Sequence, residues 1–180
     1  MIEAGAEATA GRRRLGVIAT RGTIGSGAYP AAVARHNPGC AVFDLACPRL
    51  VALAEDVHAD REAVLRAVRR ELAPLLGRQL DALLLGCTHY PLLEAPLRQV
   101  LGPRVDLIDP ARNVAVHVLR NLRARDLLNP GGAPQYCHFI TTGPARGLET
   151  LVQRYLGHAP SPTFAFERGP LTTLAASSVA

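Results

Sequence analysis

Hydrophobic and polar residues follow two patterns along this chain: short continuous apolar runs, and longer stretches with helical periodicity. Continuous apolar runs are typical of strands buried on both faces of a parallel sheet. Between them, apolar residues recur about every three or four positions, as expected of helices that cover a sheet. The predicted strands are 15–20, 41–46, 81–86 and 105–108, and the helices between them include a short one near Val51 and Leu53, one at 60–76 and one at 92–101.

Capping residues mark where two of these helices begin. Asp60 is expected to cap the helix that ends near Leu76, and Asp109-Pro110 combines an N-cap with a first-turn proline. After a loop at 129–134, the pattern predicts a strand at 136–142 and a final helix. Strands that alternate with helices predict an α/β fold with a parallel sheet. The apolar positions of the two later helices are Val114, Val118, Leu119, Leu122, Leu148, Leu151, Val152 and Tyr155.

Composition excludes several classes of protein. The 180 residues, 48% of them hydrophobic, suit one domain or slightly more. No apolar run has the length of a membrane span and no signal peptide is recognisable, so we expect a cytoplasmic protein that is not in the membrane. The cysteines lack a Cys-x-x-Cys pair and the later histidines lack ligand spacing, which predicts reduced thiols and no metal site. These residues are Cys40, Cys47, Cys87, Cys137, His117, His138 and His158.

The net charge of +5 comes from arginine, because the sequence contains no lysine. A pyridoxal-phosphate enzyme forms its internal Schiff base with a lysine, so this chain by itself is not one of those racemases or transaminases. The arginines are scattered, and aromatic residues make up only 4% of the sequence. Nucleic-acid binding is therefore not expected, because stacking platforms are too few.

The stretch 80–91 contains the strongest candidate chemistry. Its strand ends at Gly86, and the turn that follows presents Cys87, Thr88 and His89. Open α/β sheets bind ligands at the carboxyl ends of their strands, so this thiol and imidazole are expected in one crevice. Cys87 alone could be a small buried hydrophobic residue, but the polar turn around it favours a reactive thiol that acts as thiolate.

Two further places have an ordinary interpretation beside a functional one. The turn at 20–27 is rich in glycine and hydroxyl groups, so it is either a plain strand-to-helix turn or a place where backbone amides approach an anion. From the residues alone, Glu55 is more simply a solvated charge than a catalytic group.

Several of these stretches together resemble the glutamate racemases. The sequence Gly-Cys-Thr-His-Tyr-Pro-Leu-Leu at 86–93 is similar to the motif around that family's second catalytic cysteine. Gly16 to Thr23, with Ser26 and Tyr29, resembles the family's first strand and turn of the same domain. The similarity also includes 46–55, 105–109 and 139–143, so that it extends over about residues 1–157.

The resemblance implies a fold, a reaction and a site. The fold is a three-layer α/β sandwich of the aspartate/glutamate racemase type. The reaction is isomerisation, the cofactor-independent interconversion of L- and D-glutamate by cysteine-based proton transfer, which provides D-glutamate for peptidoglycan. Neither cofactor nor metal is implied. The implied catalytic residues are Cys87, His89 and Glu55, and the implied substrate-binding residues are Thr88, His89, Thr20 and Thr23.

The family takes one catalytic cysteine from each of two similar domains, and this sequence has a counterpart only for the second. We therefore expect a truncated reading of a racemase, with one complete domain and the C-terminal part of an incomplete one, whose activity alone is uncertain. The segments expected are the end of a helix at 1–13, the second-cysteine domain at 14–109, elements that complete the first domain at 110–157, and a loose tail at 158–180.

Under this interpretation the apolar residues Val114, Val118, Leu122, Phe139 and Leu151 form part of an under-covered face. Aggregation, dye binding or a homodimer would follow. The alternatives are a non-catalytic remnant, a partner-binding α/β domain, or an aspartate racemase relative.

Overall fold

The computed structural model describes residues 1–56, 58–129, 131, 139–142, 144–157 and 163–165. The chain divides into two compact units, 1–129 and 130–180. The first unit holds the parallel sheet and all of the predicted site residues. Among the described residues, no helix is both long enough and apolar enough to cross a membrane.

Four parallel strands form the sheet of the first unit: β1 (Arg14–Ala19), β2 (Ala41–Ala46), β3 (Ala82–Leu85) and β4 (Asp106–Ile108). Their order across the sheet is β2-β1-β3-β4. The central strands β1 and β3 are almost entirely buried, as their continuous apolar runs predicted. Because every strand runs in the same direction, the carboxyl ends of all four lie at one edge, called here the carboxyl edge.

Helices cover both faces of this sheet, which gives the three layers. Side chains alternate between faces along β3, so Leu83 and Leu85 pack in one core cluster while Ala82 and Leu84 pack in the other. The helices of the first unit are α1 (Ile2–Glu7), α2 (Arg21–Gly25), α3 (Ala28–His36), α4 (Arg49–Glu55), α5 (Arg61–Leu76), a 3₁₀ turn (Tyr90–Leu93), α6 (Glu94–Leu101) and α7 (Pro110–Ala124). The first cluster includes residues of α4, α5 and α6, and the second includes residues of α1 and α3.

The predicted caps are confirmed. The Asp60 carboxylate accepts the Ala63 N–H at 2.8 Å, and the Asp109 carboxylate accepts the Ala111 N–H at 2.9 Å. The turn at 20–27 differs from the prediction, because it contains the short helix α2 before α3 begins. Thr20 caps α2, since its hydroxyl oxygen accepts the Thr23 N–H at 3.4 Å.

Helix α7 packs against α1 through polar side chains. The Asn113 amide donates to the Ala4 carbonyl at 3.0 Å, and His117 Nε2 lies 3.1 Å from Glu7. The contact leaves apolar residues of α7 exposed: Val118 is 51% exposed, whereas Val114 and Leu122 are half-buried. Of the α7 residues expected to be under-covered, Val118 is thus the most open to solvent.

The second unit contains β5 (Phe139–Thr141), α8 (Ala145–Leu156) and β6 (Thr163–Ala165). β5 and β6 pair in parallel, and Val152 of α8 is buried. β6 falls in the segment for which the sequence predicted no element. Several predictions lie outside the described residues: Cys137, His138, His158, the start of the strand predicted at 136–142, most of the loop at 129–134 and most of the tail at 158–180.

Candidate active site

The candidate site lies at the carboxyl edge, where the chain leaves β3 through Gly86. The Gly86 N–H donates to the Ile18 carbonyl of β1 at 2.8 Å. A Cβ atom at this position would lie 2.8 Å from Tyr29 Cε2, 2.9 Å from the Ile18 oxygen and 3.0 Å from Ala19 Cβ. Only glycine fits between these atoms without displacing them. Gly86 therefore fixes where the following residue, Cys87, leaves the sheet.

A chain of polar contacts joins Cys87, His89 and Glu55. The Cys87 Sγ lies 3.8 Å from His89 Nδ1, and His89 Nε2 lies 2.9 Å from the Glu55 carboxylate. The Tyr90 N–H donates to the Cys87 carbonyl at 3.2 Å, which closes the turn and brings the imidazole back toward the thiol. Glu55 is the last residue of α4, so a residue distant in sequence completes the chain.

The arrangement assigns a direction for proton movement. Because the carboxylate of Glu55 can only accept, the hydrogen bond assigns the ring proton to His89 Nε2. His89 Nδ1 is then the unprotonated ring nitrogen, lies 3.8 Å from the thiol sulfur and can take its proton. The imidazolium formed is stabilised by the same carboxylate. The geometry thus supports a thiolate at Cys87 that serves as a base.

Thr88 has a second contact with the same imidazole nitrogen. Its hydroxyl lies 3.5 Å from His89 Nδ1, at the outer limit of hydrogen bonding. The Thr88 side chain is exposed, whereas Cys87 and His89 are half-buried. Thr88 is therefore free to turn its hydroxyl toward a ligand while His89 faces the thiol.

Thr20 and Thr23 lie at the same edge, after β1. Their hydroxyl oxygens are 3.0 Å apart, and Thr20 also accepts the Thr23 N–H. Two hydroxyl groups carry two protons, and their mutual bond uses one, which leaves one for an added acceptor. Within the part of the chain that the structure describes, these hydrogen bonds connect the threonines to each other and not to Cys87.

The other described cysteines do not share this environment. Cys47 follows β2 and is fully buried, and burial raises the pKa of its thiol to about 12. Cys40 precedes β2, at the opposite edge of the sheet, and burial raises its pKa as well. Among the described residues, no group of three or more His, Cys, Asp and Glu residues could hold a metal ion.

Two residues that support the site were not among the predicted site residues. Gly86 was identified as a turn residue, but its close packing against Tyr29 was not visible in the sequence. Tyr90 is fully buried, and its hydroxyl donates to the Cys47 carbonyl at 2.9 Å. A tyrosine in an otherwise polar turn was the available signal, because a buried phenol needs a hydrogen-bond partner.

Comparison with known proteins identifies relatives of this chain. The family model described as Asp/Glu/hydantoin racemase matches residues 1–118. The glutamate racemase of Symbiobacterium thermophilum is 43% identical over 145 residues, which are 80% of this chain and 52% of that protein.

Solved structures agree with this result. The glutamate racemase of Bacillus anthracis has a TM-score of 0.84 at 33% identity, over 92% of this chain and 63% of that one. The Francisella tularensis glutamate racemase in complex with D-glutamate has a TM-score of 0.82 at 27% identity, over 92% and 62%. The chain thus spans between half and two thirds of the length of these relatives.

Proposed function

Because the chain belongs to the Asp/Glu/hydantoin racemase family, we propose that it takes part in the cofactor-independent interconversion of L- and D-glutamate. In this proposal Cys87 exchanges a proton with the α-carbon of the substrate on one face. The observation that carries the proposal is the contact chain from the Cys87 thiol through His89 to Glu55 at the carboxyl edge. The bound D-glutamate of the Francisella tularensis relative supports glutamate as the substrate.

The roles of the three catalytic residues follow from their order in the contact chain. His89 takes the thiol proton at Nδ1, Glu55 stabilises the resulting imidazolium, and the Cys87 thiolate removes the α-proton. The carbanion formed must be reprotonated from its other face for inversion. A thiolate is suited to this step because it is a stronger nucleophile and base at neutral pH than a serine hydroxyl.

The hydroxyl groups at the same edge are proposed to hold the substrate. Thr88 is exposed beside the thiol, and the Thr20–Thr23 pair has one hydroxyl proton to donate. Hydroxyl groups can donate hydrogen bonds to a substrate carboxylate without placing a positive charge beside the thiolate. A cation at the same position would partly neutralise the thiolate. His89 adds a contact to the substrate in its protonated form.

Inversion needs a second acid or base on the opposite face of the substrate. Among the described cysteines, Cys47 is buried and Cys40 lies at the other edge of the sheet, so neither can serve beside Cys87. The half-reaction that the described residues support is therefore exchange of the α-proton with solvent. We expect L-glutamate to be the enantiomer on which Cys87 acts.

Incubation of the full chain with L-glutamate in deuterium oxide tests the proposal. The expected result is loss of the α-proton signal in the NMR spectrum, with chiral chromatography reporting whether D-glutamate forms. Cys87→Ser should abolish the exchange, because the hydroxyl does not ionise near neutral pH. No exchange with either glutamate enantiomer would contradict Cys87 as an active base and favour the non-catalytic alternative.

Aspartate is the second candidate substrate, because the matched family model includes aspartate racemases. Aspartate has one methylene fewer, so a pocket built for glutamate is expected to discriminate by about 10- to 200-fold. Parallel exchange assays with L-aspartate and L-glutamate decide between the two. Faster exchange with L-aspartate would assign the chain to aspartate.

The proposed activity also suggests a cellular location, and the exposed residues of α7 suggest a partner. Peptidoglycan precursors are assembled in the cytoplasm, so we place the protein there. We also keep a homodimer as a proposal, since Val116, Val118 and Leu119 of α7 are 41–51% exposed and association would bury them. Sedimentation velocity tests this, and a monomer at every concentration would contradict it.

A further inference from the structure

We infer that Tyr90 is a positioning residue that holds Glu55 against His89. This inference rests on the proposed function, in which Cys87 is the reactive group. The observation behind it is a second connection between the turn after β3, which contains His89 and Tyr90, and the segment from Cys47 to Glu55 that contains α4. The Tyr90 hydroxyl donates to the Cys47 carbonyl at 2.9 Å.

Helix α4 is held at both of its ends by the turn after β3. The helix begins directly after Cys47 and Pro48, and there the Tyr90 hydroxyl binds the Cys47 carbonyl. The helix ends at Glu55, whose carboxylate contacts His89. Seven helical residues span only about 10 Å. The two neighbouring side chains of the turn, Tyr90 and His89, therefore contact opposite ends of one short helix.

The Tyr90 contact is buried, whereas the Glu55 contact is open to solvent. Tyr90 is 0% exposed, but the side chains of His89 and Glu55 are 34% and 50% exposed. A hydrogen bond shielded from water is stronger and holds its geometry better than an exposed ion pair. The buried end of α4 can thus fix the position of the helix, and the exposed end carries the functional carboxylate.

The Cys47 peptide groups have hydrogen-bond partners other than the phenol. The Cys47 N–H donates to the Ala19 carbonyl at 2.9 Å, and the Cys47 carbonyl also accepts the Leu50 N–H at 3.1 Å. Removing the Tyr90 hydroxyl therefore leaves no unpaired carbonyl, and phenylalanine keeps the ring in the core. Tyr90→Phe is expected to fold while it loses the hydrogen bond that joins the turn to the buried end of α4.

A double-mutant cycle on thiol alkylation tests the inference without any substrate. The rate of Cys87 modification by iodoacetamide is measured at pH 7.5 by peptide mass spectrometry for the wild type, Tyr90→Phe, Glu55→Gln and the double variant. Tyr90→Phe is expected to slow modification by about 3- to 30-fold, less than the roughly 100-fold that a misplacement of about 1 Å can cost. The double variant should then match Glu55→Gln, since both changes remove the same support.

Two results would overturn the inference. One is an unchanged alkylation rate in Tyr90→Phe, and the other is a double variant whose loss is the product of the two single losses. Val68→Ala is the matched control for lost stability, since Val68 is fully buried in the same core cluster but makes no hydrogen bond to α4 through its side chain. It should keep the wild-type rate.

The experiment separates this inference from the proposed function. Coupling between Tyr90 and Glu55 in alkylation, without α-proton exchange from glutamate, would support the positioning role and contradict the glutamate proposal. Exchange from glutamate without coupling would do the reverse. A side chain larger or more polar than tyrosine at position 90 is not expected to restore the alkylation rate of Cys87, because Tyr90 is closed to solvent.

Discussion

Polar side chains lie at the carboxyl edge of the parallel sheet and also at the opposite edge, where the strands begin, called here the amino edge. The two groups of side chains make different kinds of contact. At the amino edge, the Asp81 carboxylate accepts the backbone N–H groups of Arg13 and Arg14 at 2.8 and 2.9 Å. Arg12 forms an ion pair with Asp106 at 2.6 Å. At the carboxyl edge, the corresponding chain of contacts ends at the half-buried thiol of Cys87.

The difference concerns where the hydrogen bonds end. The polar groups of the amino edge bind backbone groups or one another. The guanidinium groups of Arg14 and Arg78 also lie over the Phe43 ring, at 4.9 and 5.4 Å from its centroid. Those of the carboxyl edge end at the thiol of Cys87. Charge and polarity alone therefore do not distinguish the two edges, whereas the thiol at the end of the contact chain does.

Two histidine–glutamate pairs in the first unit provide the most stringent test of this difference. His89 contacts Glu55 at 2.9 Å beside the thiol, and His117 contacts Glu7 at 3.1 Å between α7 and α1. His89→Asn should reduce α-proton exchange by about 100- to 10,000-fold, because it removes the group that takes the thiol proton. His117→Asn should leave the exchange rate unchanged. Equal losses in the two variants would show that the contact chain has no special role.

The two cysteines that follow strands at the carboxyl edge offer the next contrast. Cys47 is fully buried with a pKa raised to about 12 by burial, whereas Cys87 is half-buried beside His89. At pH 8, Cys87 should be alkylated at least about 100-fold faster than Cys47, because only the thiolate reacts and only an accessible one is reached. Time-resolved peptide mass spectrometry measures both rates. Similar rates at the two cysteines would remove the distinction.

Substitution of glycine tests how tightly the carboxyl edge is packed. Gly86→Ala would place a Cβ atom 2.8 Å from Tyr29 Cε2 and 2.9 Å from the Ile18 oxygen. We expect a loss of about 1–3 kcal/mol in the free energy of unfolding, measured by urea denaturation. Gly25→Ala is the control, because no atom beyond the adjacent residues and the backbone of its own helix lies within 4 Å of the corresponding Cβ position. A Gly86→Ala variant as stable as the control would contradict the close packing.

The amino edge should show its role in the dependence of stability on pH. The Arg13 and Arg14 N–H groups lower the pKa of Asp81 below its ordinary value of 3.8. Ionised Asp81 therefore stabilises the native state above that pH, and the contribution is lost as the pH falls from 3.8 through the lower native pKa. Asp81→Asn should be less stable than the wild type at pH 7 and closer to it at pH 3.

Urea midpoints at the two pH values measure this effect, which we expect to be the smallest of the four because the carboxylate is exposed. Glu149→Gln on α8 is the control, as its side chain is exposed and far in sequence from either edge. A wild type and an Asp81→Asn variant that stay equally far apart at pH 3 and pH 7 would contradict the assigned role of Asp81.

Much of the fold was accessible from the sequence, because it depends on local patterns. Apolar runs located β1 to β4 within about one residue, and the caps at Asp60 and Asp109 were identified by residue type. The helix α2 was missed, since five residues rich in glycine have little helical preference and form a helix here with Thr20 as cap. β6 was missed because its three residues pair with β5, a contact that no local pattern records.

For the site, the sequence by itself determined where the candidate thiol and imidazole lie. A cysteine and a histidine two residues apart after a buried strand suffice to place both at the carboxyl edge, whatever else the chain does. Only the resemblance to a family connected Glu55 with them, and only the tertiary structure showed the contact, at 2.9 Å between residues 34 positions apart. The tertiary structure also decided that Cys87 is accessible while Cys47 is buried, and that Tyr90 bridges to α4. The physical reason is that local sequence fixes backbone direction and periodicity, whereas burial and hydrogen bonds between distant loops depend on how the helices pack over the sheet.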